Sequence, residues 1–338
     1  MLTDAFPSHR AMKTPILVTG HHRAGTTWIG KMLAASRDVG YIHEPFNPGQ
    51  RPGICSVRPN RYFTHVPDAN PEAWQKALQA TLSFQYDVRA EVEAIRSLKD
   101  FGRMVRDYGR FAWLQHRGRR ALMKDPIALF SAEWIAEQFG ADVIVLIRHP
   151  AAFVSSLMRL DWTFPFEDLL SQPQLVDAHL SPFEDEIRHH ARTDTDLIDQ
   201  AICLWKIFQY VAATYRDRHP GWTVVRMEDL AMEPVPRIGK LYRRVNLEYP
   251  NRAQEIVRRH TRATNPSEVE TENAKETQRD SRRAIYQWVD RLSEEQIEMI
   301  RRGLSDVPAE FYSSEDWDAS IEERTEGEKR SGSFGGAP

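Results

Sequence analysis

Five short apolar runs, separated by amphipathic segments, are the sequence feature that most restricts the fold. Each run is apolar without the alternation that marks a strand with one solvated face, so each is typical of a parallel strand covered on both faces. Helical spacing of apolar residues follows the first run, at Ile29, Met32 and Leu33. The pattern predicts an α/β fold with a doubly wound parallel sheet and right-handed crossovers. The predicted strands are Ile16–Gly20, Val39–Glu44, Ala121–Asp125, Asp142–Arg148 and Thr223–Met227.

Two stretches interrupt this alternation, at about residues 50–119 and 160–194. We interpret residues 1–318 as a single domain and expect both insertions, the first of them helical in its second half, to form lids or substrate pockets. A capping-box pattern at Ser293–Gln296 predicts one last helix. The polar, glycine-rich residues 319–338 are predicted to be a disordered tail.

The charge balance excludes generic nucleic-acid binding. The chain has 45 Lys and Arg against 48 Asp and Glu, a net charge of -3, whereas proteins that bind nucleic acid generically are basic. No apolar run approaches the roughly 20 residues that cross a bilayer, so no transmembrane segment is expected. The N-terminal segment Met1–Lys13 lacks the apolar core of a secretory signal, which predicts a cytoplasmic protein.

The sequence offers neither a disulfide framework nor a metal-binding pattern. Two cysteines, Cys55 and Cys203, are too few for a framework or a cysteine zinc site. The histidine pairs at 21–22 and 189–190 are adjacent, whereas a helical zinc site needs histidines four residues apart. We therefore expect no metal site.

A glycine-rich loop follows the first predicted strand and precedes the first predicted helix. It reads Gly20-His21-His22-Arg23-Ala24-Gly25-Thr26-Thr27, with the Gly-x4-Gly spacing of a P-loop. Backbone N–H groups at the start of a helix surround phosphate oxygens in such loops. The lysine that spans the β- and γ-phosphates in nucleotide triphosphatases is absent, because Thr26 follows Gly25. The loop therefore predicts a P-loop-like anion site and argues against ATP hydrolysis.

A second anion-binding pattern lies at the end of the fourth predicted strand. Arg148 is followed by His149 and Pro150, and Ser156 comes eight positions after Arg148. An arginine at the carboxyl end of a strand presents a planar fork to a phosphate, and a serine in the next helix adds a hydroxyl. Either residue alone is compatible with a purely structural role, but the ordered pair predicts a phosphate contact.

Together these motifs resemble the sulfotransferases that use 3′-phosphoadenosine 5′-phosphosulfate (PAPS), in particular the carbohydrate and bacterial branch. Further similar segments bring the resemblance to residues 16–230, without the insertions; they are His43–Pro48, Lys124–Pro126 and Arg226–Leu230. The resemblance implies a P-loop-like sulfotransferase fold and in-line transfer of a sulfuryl group from PAPS to an acceptor hydroxyl. No metal is required, since cationic side chains and N–H groups stabilise the charge.

The resemblance also implies residue roles. Arg23, Ala24, Gly25, Thr26 and Thr27 would surround the 5′-phosphosulfate, with Arg23 nearest the bridging oxygen. Arg148 and Ser156 would hold the 3′-phosphate, and the basic residues Arg279, Arg282 and Arg283 are candidates for a loop that closes over it. Trp28 either stacks on adenine or belongs to the core.

The acceptor must lose a proton, so a general base is expected beside it. Glu44 is favoured because relatives that modify carbohydrates have a glutamate after this strand. His43 is the rival, because its ordinary pKa already suits proton abstraction while that of a glutamate would have to rise. Lys124 either contacts the sulfuryl group or the acceptor, or forms a plain ion pair.

Two other functions stay open. In a divergent P-loop NTPase or kinase, Asp125 would bind Mg²⁺; in a non-catalytic module the loop would bind a nucleotide only. The acceptor is a small molecule or glycan, and the resemblance favours a carbohydrate or glycolipid hydroxyl. Aromatic residues of the second insertion either line the acceptor pocket or pack the insertion onto the core; they are Trp162, Phe164, Phe166 and Phe183. The oligomeric state is left open.

Overall fold

The computed structural model describes residues 13–266, 278–307 and 310–318. Within these residues, five strands form one parallel sheet in the order β2-β3-β1-β4-β5. The predicted parallel sheet is confirmed, although four predicted strands extended one residue too far, because the chain turns away from the sheet at Glu44, Asp125, Arg148 and Met227. The strands are β1 (Ile16–Gly20), β2 (Val39–His43), β3 (Arg120–Lys124), β4 (Asp142–Ile147) and β5 (Thr223–Arg226).

Helices fill the connections between strands and both insertions. The first insertion contains the second to fourth helices below, and the second insertion contains the seventh to ninth. They are α1 (Thr26–Leu33), α2 (Pro71–Leu82), α3 (Val88–Ala94), α4 (Leu98–His116), α5 (Ala132–Phe139), α6 (Pro150–Leu160), α7 (Glu167–Leu170), α8 (Pro173–Leu175), α9 (Glu184–Arg192), α10 (Leu197–Arg218), α11 (Met227–Met232), α12 (Pro234–Arg244), α13 (Asn251–His260), α14 (Ser281–Arg291) and α15 (Glu294–Gly303).

The sheet separates two apolar cores, which is why its strands are apolar without alternation. In β1, Ile16 and Val18 belong to the core beneath α1, α12 and α13. Leu17 points the other way, into the larger core formed with α5, α6, α10 and the insertions. Because each strand buries side chains on both faces, the sheet is doubly wound, as predicted.

The strand order places a crevice at the carboxyl edge of the sheet. The chain leaves β1 toward β2 on one side, and leaves β4 toward β5 on the other side. β1 and β4 are neighbours, so their connections diverge at a topological switch point, where ligands of open α/β sheets bind. The glycine loop follows β1 and Arg148 follows β4, so the two predicted anion-binding motifs meet at this crevice.

One expectation from the sequence concerns membrane-spanning helices, and two others concern the ends of the chain. In the described residues, every helix is too short or too polar to cross a membrane. The N-terminal segment from which a cytoplasmic location was predicted, and the predicted disordered tail at 319–338, lie outside the described residues apart from Lys13. Both therefore stay predictions.

The predicted capping box at the start of α15 is confirmed. The Ser293 hydroxyl accepts from the Gln296 N–H at 3.2 Å, and the Gln296 side chain accepts from the Ser293 N–H at 2.9 Å. We expect Ser293→Ala to lower the free energy of unfolding by about 1 kcal/mol, because an N–H at the helix start loses its acceptor. Urea unfolding measures this, with Ser293→Asp, which keeps an acceptor, as the control. An unchanged stability in Ser293→Ala would contradict the capping role.

Candidate active site

The glycine loop leaves β1 and enters α1 through left-handed backbone conformations. Gly20 has φ +145°, and a Cβ there would lie 2.2 Å from the carbonyl oxygen of Leu146. Gly25, at φ +89°, caps the start of α1, and Arg23 adopts φ +66°. Thr26 and Thr27 open the helix, where backbone N–H groups lack intrahelical acceptors. The loop thus directs N–H groups and the Arg23 side chain toward the crevice.

Ala24 is the predicted loop residue that does not face the crevice. Its side chain is fully buried in the core beneath α1, and its N–H donates to the carbonyl oxygen of His21 at 3.1 Å. Ala24 therefore shapes the turn and offers neither side chain nor N–H to a ligand in this conformation.

His21 joins the glycine loop to the end of β4. Its Nδ1 donates to the carbonyl oxygen of His22 at 2.7 Å, and its Nε2 accepts from the N–H of Arg148 at 3.1 Å. These roles require a neutral imidazole, in agreement with the burial that lowers the pKa of His21 to about 3. The two anion-binding motifs are therefore held in a fixed relation by an uncharged ring.

The crevice is a cavity of about 470 Å³. Its walls come from the glycine loop, from the residues after β2 and β4, from both insertions and from the start of α14. Phe166 and Phe183 are buried in the core instead, so only part of the predicted aromatic set lines it. The aromatic lining residues are His22, Trp28, Tyr62, Phe63, Trp162, Phe164 and His260, and the polar or charged ones are Arg23, Thr26, Thr27, Glu44, Asn47, Arg148, Thr163, Arg279 and Ser281.

Trp28 lies between the core and the cavity. Its side chain is only 7% exposed and belongs to the core beneath α1, yet it also contributes to the cavity wall. A ring in that position packs on the core with one surface and leaves another facing the cavity.

Arg148, Ser156 and Arg23 form one cluster. The guanidinium of Arg148 donates to the carbonyl oxygens of Arg23 at 3.2 Å and Ala284 at 3.4 Å. Its Nε is buried and, among the described residues, has no hydrogen-bond partner. Arg23 Nε donates to the Ser156 hydroxyl at 2.8 Å. Arg23 thus contacts both members of the predicted pair, Arg148 through its carbonyl oxygen and Ser156 through its side chain.

Several arginines lie close enough to Arg23 to influence its pKa. Burial, followed by the charges of four other arginines, lowers the pKa of Arg23 to about 10; they are Arg148, Arg159, Arg279 and Arg291. The nearby carboxyl of Glu228 accepts from the His149 N–H at 3.0 Å and from the Tyr312 hydroxyl at 2.6 Å. Arg23 stays protonated at neutral pH. The cavity wall, which contains Arg23, Arg148 and Arg279, is therefore suited to an anion of more than one negative charge.

Of the three late arginines predicted from the sequence, the structure brings only Arg279 to the cavity. Asp280 caps α14, and the helix turns the next two arginines outward. Arg282 donates to the carbonyl oxygen of Met232 at 3.2 Å. Arg283 is 80% exposed beside Asp280. These two therefore lie outside the cavity wall, and Arg282 serves below as a control.

Glu44 and Lys124 form an ion pair at the carboxyl ends of β2 and β3. Lys124 is fully buried beneath the Glu44 carboxylate, which also accepts from the Asn47 side chain at 2.8 Å. Burial raises the pKa of Glu44, but the charges of Lys124 and His43 and the hydrogen bonds from Lys124 and Asn47 outweigh it, so the pKa is lowered overall. The pKa of Glu44 is therefore not shifted upward as a glutamate base would need, and the carboxylate is ionised.

His43 faces away from the cavity. Among the described residues, the wall includes Glu44 but not His43, whose side chain is 45% exposed. The His43 Nε2 lies 3.9 Å from the Glu44 carboxylate, and its Nδ1 lies 3.4 Å from the Tyr41 hydroxyl. The two side chains lie side by side, and the turn at Glu44, where φ is +45°, brings the carboxylate into the cavity wall while the His43 ring stays outside it.

Asp125 ties two turns together inside the protein. One carboxylate oxygen accepts from the Phe46 N–H at 2.7 Å, and the other accepts from the Ile127 N–H at 3.0 Å. The residue is fully buried and is not part of the cavity wall. The magnesium-binding role considered for Asp125 thus has no geometric support.

Burial, with a smaller effect from the charge of Glu44, raises the pKa of Asp125 to about 7. The folded protein therefore binds a proton that the unfolded chain has released, so the stability contributed by protonated Asp125 is lost as pH rises from about 4 to about 7. We expect the free energy of unfolding of the wild type, minus that of Asp125→Asn, to fall across this interval. Urea unfolding at pH 4.5, 5.5 and 6.5 measures the difference; a constant difference would contradict the assignment.

Several lining residues had no signal in the sequence. Tyr62 and Phe63 belong to the first insertion, which no motif covers. Ser281, by contrast, lies between two of the late arginines singled out from the sequence, Arg279 and Arg282. Asn47 belongs to the His43–Pro48 segment identified from the sequence. It lies three residues after Glu44, close enough for the observed contact between the two side chains.

Comparisons with known proteins give one family model and several similar solved structures. A family model described as "Sulfotransferase family" matches residues 15–251. Similar solved structures include the sulfotransferase domain of the Synechococcus PCC 7002 olefin synthase, 14% identical, covering 89% of this chain and 98% of that chain, with a TM-score of 0.43. Sulfotransferase STF1 of Mycobacterium tuberculosis H37Rv is 17% identical, with 88% and 78% covered and a TM-score of 0.41. Mouse sulfotransferase SULT7A1, complexed with PAP, is 9% identical, with 88% and 86% covered and a TM-score of 0.39. No curated protein matches.

Proposed function

The chain belongs to the sulfotransferase family, and we propose that its sulfuryl donor is PAPS and its acceptor a hydroxyl group. The observation that carries the choice of donor is the arginine cluster at the end of β4. The buried Nε of Arg148 lacks a partner among the described residues, and Arg23, Arg279 and Ser156 lie around it. A 3′-phosphate would supply an acceptor oxygen for the Arg148 Nε, and ATP has no such group.

The glycine loop would hold the 5′-phosphosulfate. Gly25, Thr26 and Thr27 provide N–H groups and hydroxyls at the start of α1, where the helix dipole favours an anion. Arg23 would stabilise the charge that develops on the bridging oxygen as the S–O bond breaks. Because a guanidinium remains protonated, Arg23 acts by charge and hydrogen bonding rather than by giving up a proton. Trp28, with one surface on the cavity, would stack on the adenine.

Glu44 would be the general base for the acceptor. Its carboxylate lines the same cavity as Thr26, Arg23 and aromatic side chains of the insertions. The acceptor hydroxyl would give its proton to Glu44 as its oxygen attacks sulfur in line with the leaving phosphate. Lys124, buried behind Glu44, would position and polarise that carboxylate and would contact the sulfuryl group only if the side chain moved.

The acceptor would bind against the aromatic wall formed by Tyr62, Phe63, Trp162 and Phe164. Flat aromatic faces suit the apolar face of a sugar ring, and Asn47 and Thr163 add hydrogen-bonding groups. A carbohydrate or glycolipid hydroxyl is the acceptor class that we propose.

Calorimetric titration tests the donor. We expect tight, metal-independent binding of 3′-phosphoadenosine 5′-phosphate (PAP), the desulfated product, and binding of ATP at least a hundred-fold weaker with or without Mg²⁺. Preference for Mg-ATP would overturn the proposal and favour a divergent P-loop NTPase or kinase. Binding of PAP without sulfation of any acceptor, in a screen with labelled PAPS, would favour the non-catalytic module.

A further inference from the structure

Helix α4 carries a stripe of apolar side chains on its solvent side. Leu98, Phe101, Val105 and Tyr108 recur at helical spacing and are 92%, 52%, 52% and 51% exposed. The opposite side of α4 holds the residues that pack on the protein, such as Met104, Phe111 and Leu114. The α4 stripe, as we call the four exposed residues, therefore does not serve the core. A helix with apolar residues on both sides has a second surface to cover.

Basic side chains run beside the α4 stripe. Lys99, Arg103, Arg106 and Arg110 also recur at helical spacing, one position after each stripe residue or close to it. Residues 96–119 contain seven basic and two acidic residues, a net charge of +5, in a chain whose net charge is -3. The two acidic residues pair within this segment and with Arg51: Asp107 lies 3.1 Å from Arg51 and 2.9 Å from Arg106, and Asp100 lies 3.4 Å from Arg103. The net charge of +5 already counts both of them. The surface is therefore apolar and positively charged together.

The α4 stripe lies at the same edge of the sheet as the cavity. Along α4, Leu114 lies against Gly40, Arg110 donates to the carbonyl oxygen of Tyr41, and Asp107 pairs with Arg51 beyond the end of β2. Taken in this order, the three contacts run toward the carboxyl end of β2 and toward the first residue of α4. The first two turns of α4 therefore project past the carboxyl edge of the sheet. The same edge carries Glu44 and the cavity.

We propose that the α4 stripe and its basic border dock on an anionic lipid surface. Helices that lie in a bilayer interface combine an apolar face with Lys and Arg, whose charges stay with the lipid headgroups. Each basic residue near an anionic membrane strengthens binding about fivefold, and the effect is screened by salt. The charge favours lipid over a second copy of this chain, since two copies meeting at α4 would bring their basic borders together.

Docking in this way would hold the cavity beside the membrane surface. A glycolipid hydroxyl would then reach Glu44 without leaving the bilayer. This consequence rests on the proposed function, whereas the docking itself does not, because vesicle binding requires neither donor nor acceptor.

Co-sedimentation with vesicles tests the docking. We expect the full chain to bind vesicles of phosphatidylcholine with 30% phosphatidylglycerol (about one anionic headgroup in three) and not vesicles of phosphatidylcholine alone, and to be released by about 0.5 M NaCl. Phe101→Glu/Val105→Glu should reduce binding at least tenfold, since it places two anions on the stripe. Arg103→Gln/Arg106→Gln should reduce binding on the order of twenty-fold, about fivefold for each arginine lost.

The matched control is Tyr210→Glu/Met299→Glu, which makes the same change at two apolar residues, 40% and 42% exposed, on other helices. It should bind vesicles like the wild type, and thermal melts show whether each variant folds. No binding by the wild type, or equal binding by Phe101→Glu/Val105→Glu, would overturn the proposal. A dimer in sedimentation velocity that this variant dissociates, without vesicle binding, would assign the surface to a second copy.

Discussion

Arg148→Ala is expected to weaken PAP binding by at least a hundred-fold, about 3 kcal/mol, because charge-assisted hydrogen bonds to a phosphate are worth about 1.5–3 kcal/mol each. The wild type should bind PAP far more tightly than 5′-AMP, which lacks the 3′-phosphate. In Arg148→Ala the two affinities should converge, since the group that separates them has lost its main partner. Calorimetric titration with both nucleotides measures the convergence.

Matched variants separate this effect from damage to the loop. Arg148 also donates to the carbonyl oxygens of Arg23 and Ala284, so its loss could displace the glycine loop. A displaced loop would weaken 5′-AMP as much as PAP, whereas loss of the phosphate contact weakens PAP alone. Arg282→Ala, which removes an arginine outside the cavity, should leave both affinities unchanged. An Arg148→Ala variant that still prefers PAP strongly would remove Arg148 from the donor site.

The sheet and the meeting of its two anion motifs could be predicted because both follow from local sequence. Strands buried on both faces are apolar throughout, and residues just past parallel strands gather at one edge. The strand ends were placed one residue late because Glu44, Asp125 and Arg148 follow the strands directly in sequence, and only the turning of the backbone separates them from the strands.

Contacts between distant segments could not be predicted. Nothing local to Arg23 indicates that its guanidinium would reach the Ser156 hydroxyl, 133 positions later. The choice of Arg279 over Arg282 and Arg283 depends on how Asp280 caps α14. The pKa of Glu44 depends on Lys124, which is 80 positions away in sequence and contacts the carboxylate from the neighbouring strand. Such relations are set by packing across the sheet, which periodicity and motif spacing do not record.

Glu44→Gln is expected to lower kcat by about 10²–10⁴, the usual contribution of a general base, while the affinity for PAP stays within about threefold. An amide keeps the shape of the carboxylate but does not accept the acceptor proton. His43→Gln is the matched control and should keep wild-type turnover, because its ring lies outside the cavity wall. Normal turnover in Glu44→Gln together with a loss in His43→Gln would transfer the role to His43.

Glu44→Gln also leaves the buried Lys124 ammonium without its anion, so stability has to be measured beside activity. Breaking a buried ion pair by removing one partner costs about 3–5 kcal/mol of unfolding free energy. The double variant Glu44→Gln/Lys124→Met removes both charges and should recover part of that loss without recovering turnover. Turnover restored along with stability would show that Glu44 acts through folding and not as the base.

Lys124→Met should shift the pH profile of kcat/KM. Glu44 must be ionised to accept a proton, so activity falls as pH drops through its pKa. In the wild type the charge of Lys124 helps to keep this pKa below its ordinary value; without that cation burial dominates, the pKa rises, and the acid limb of the profile moves to higher pH. If Lys124 instead contacts the sulfuryl group or the acceptor directly, kcat should fall at every pH while the acid limb stays in place. The profile therefore decides whether Lys124 acts on the substrate or on the base.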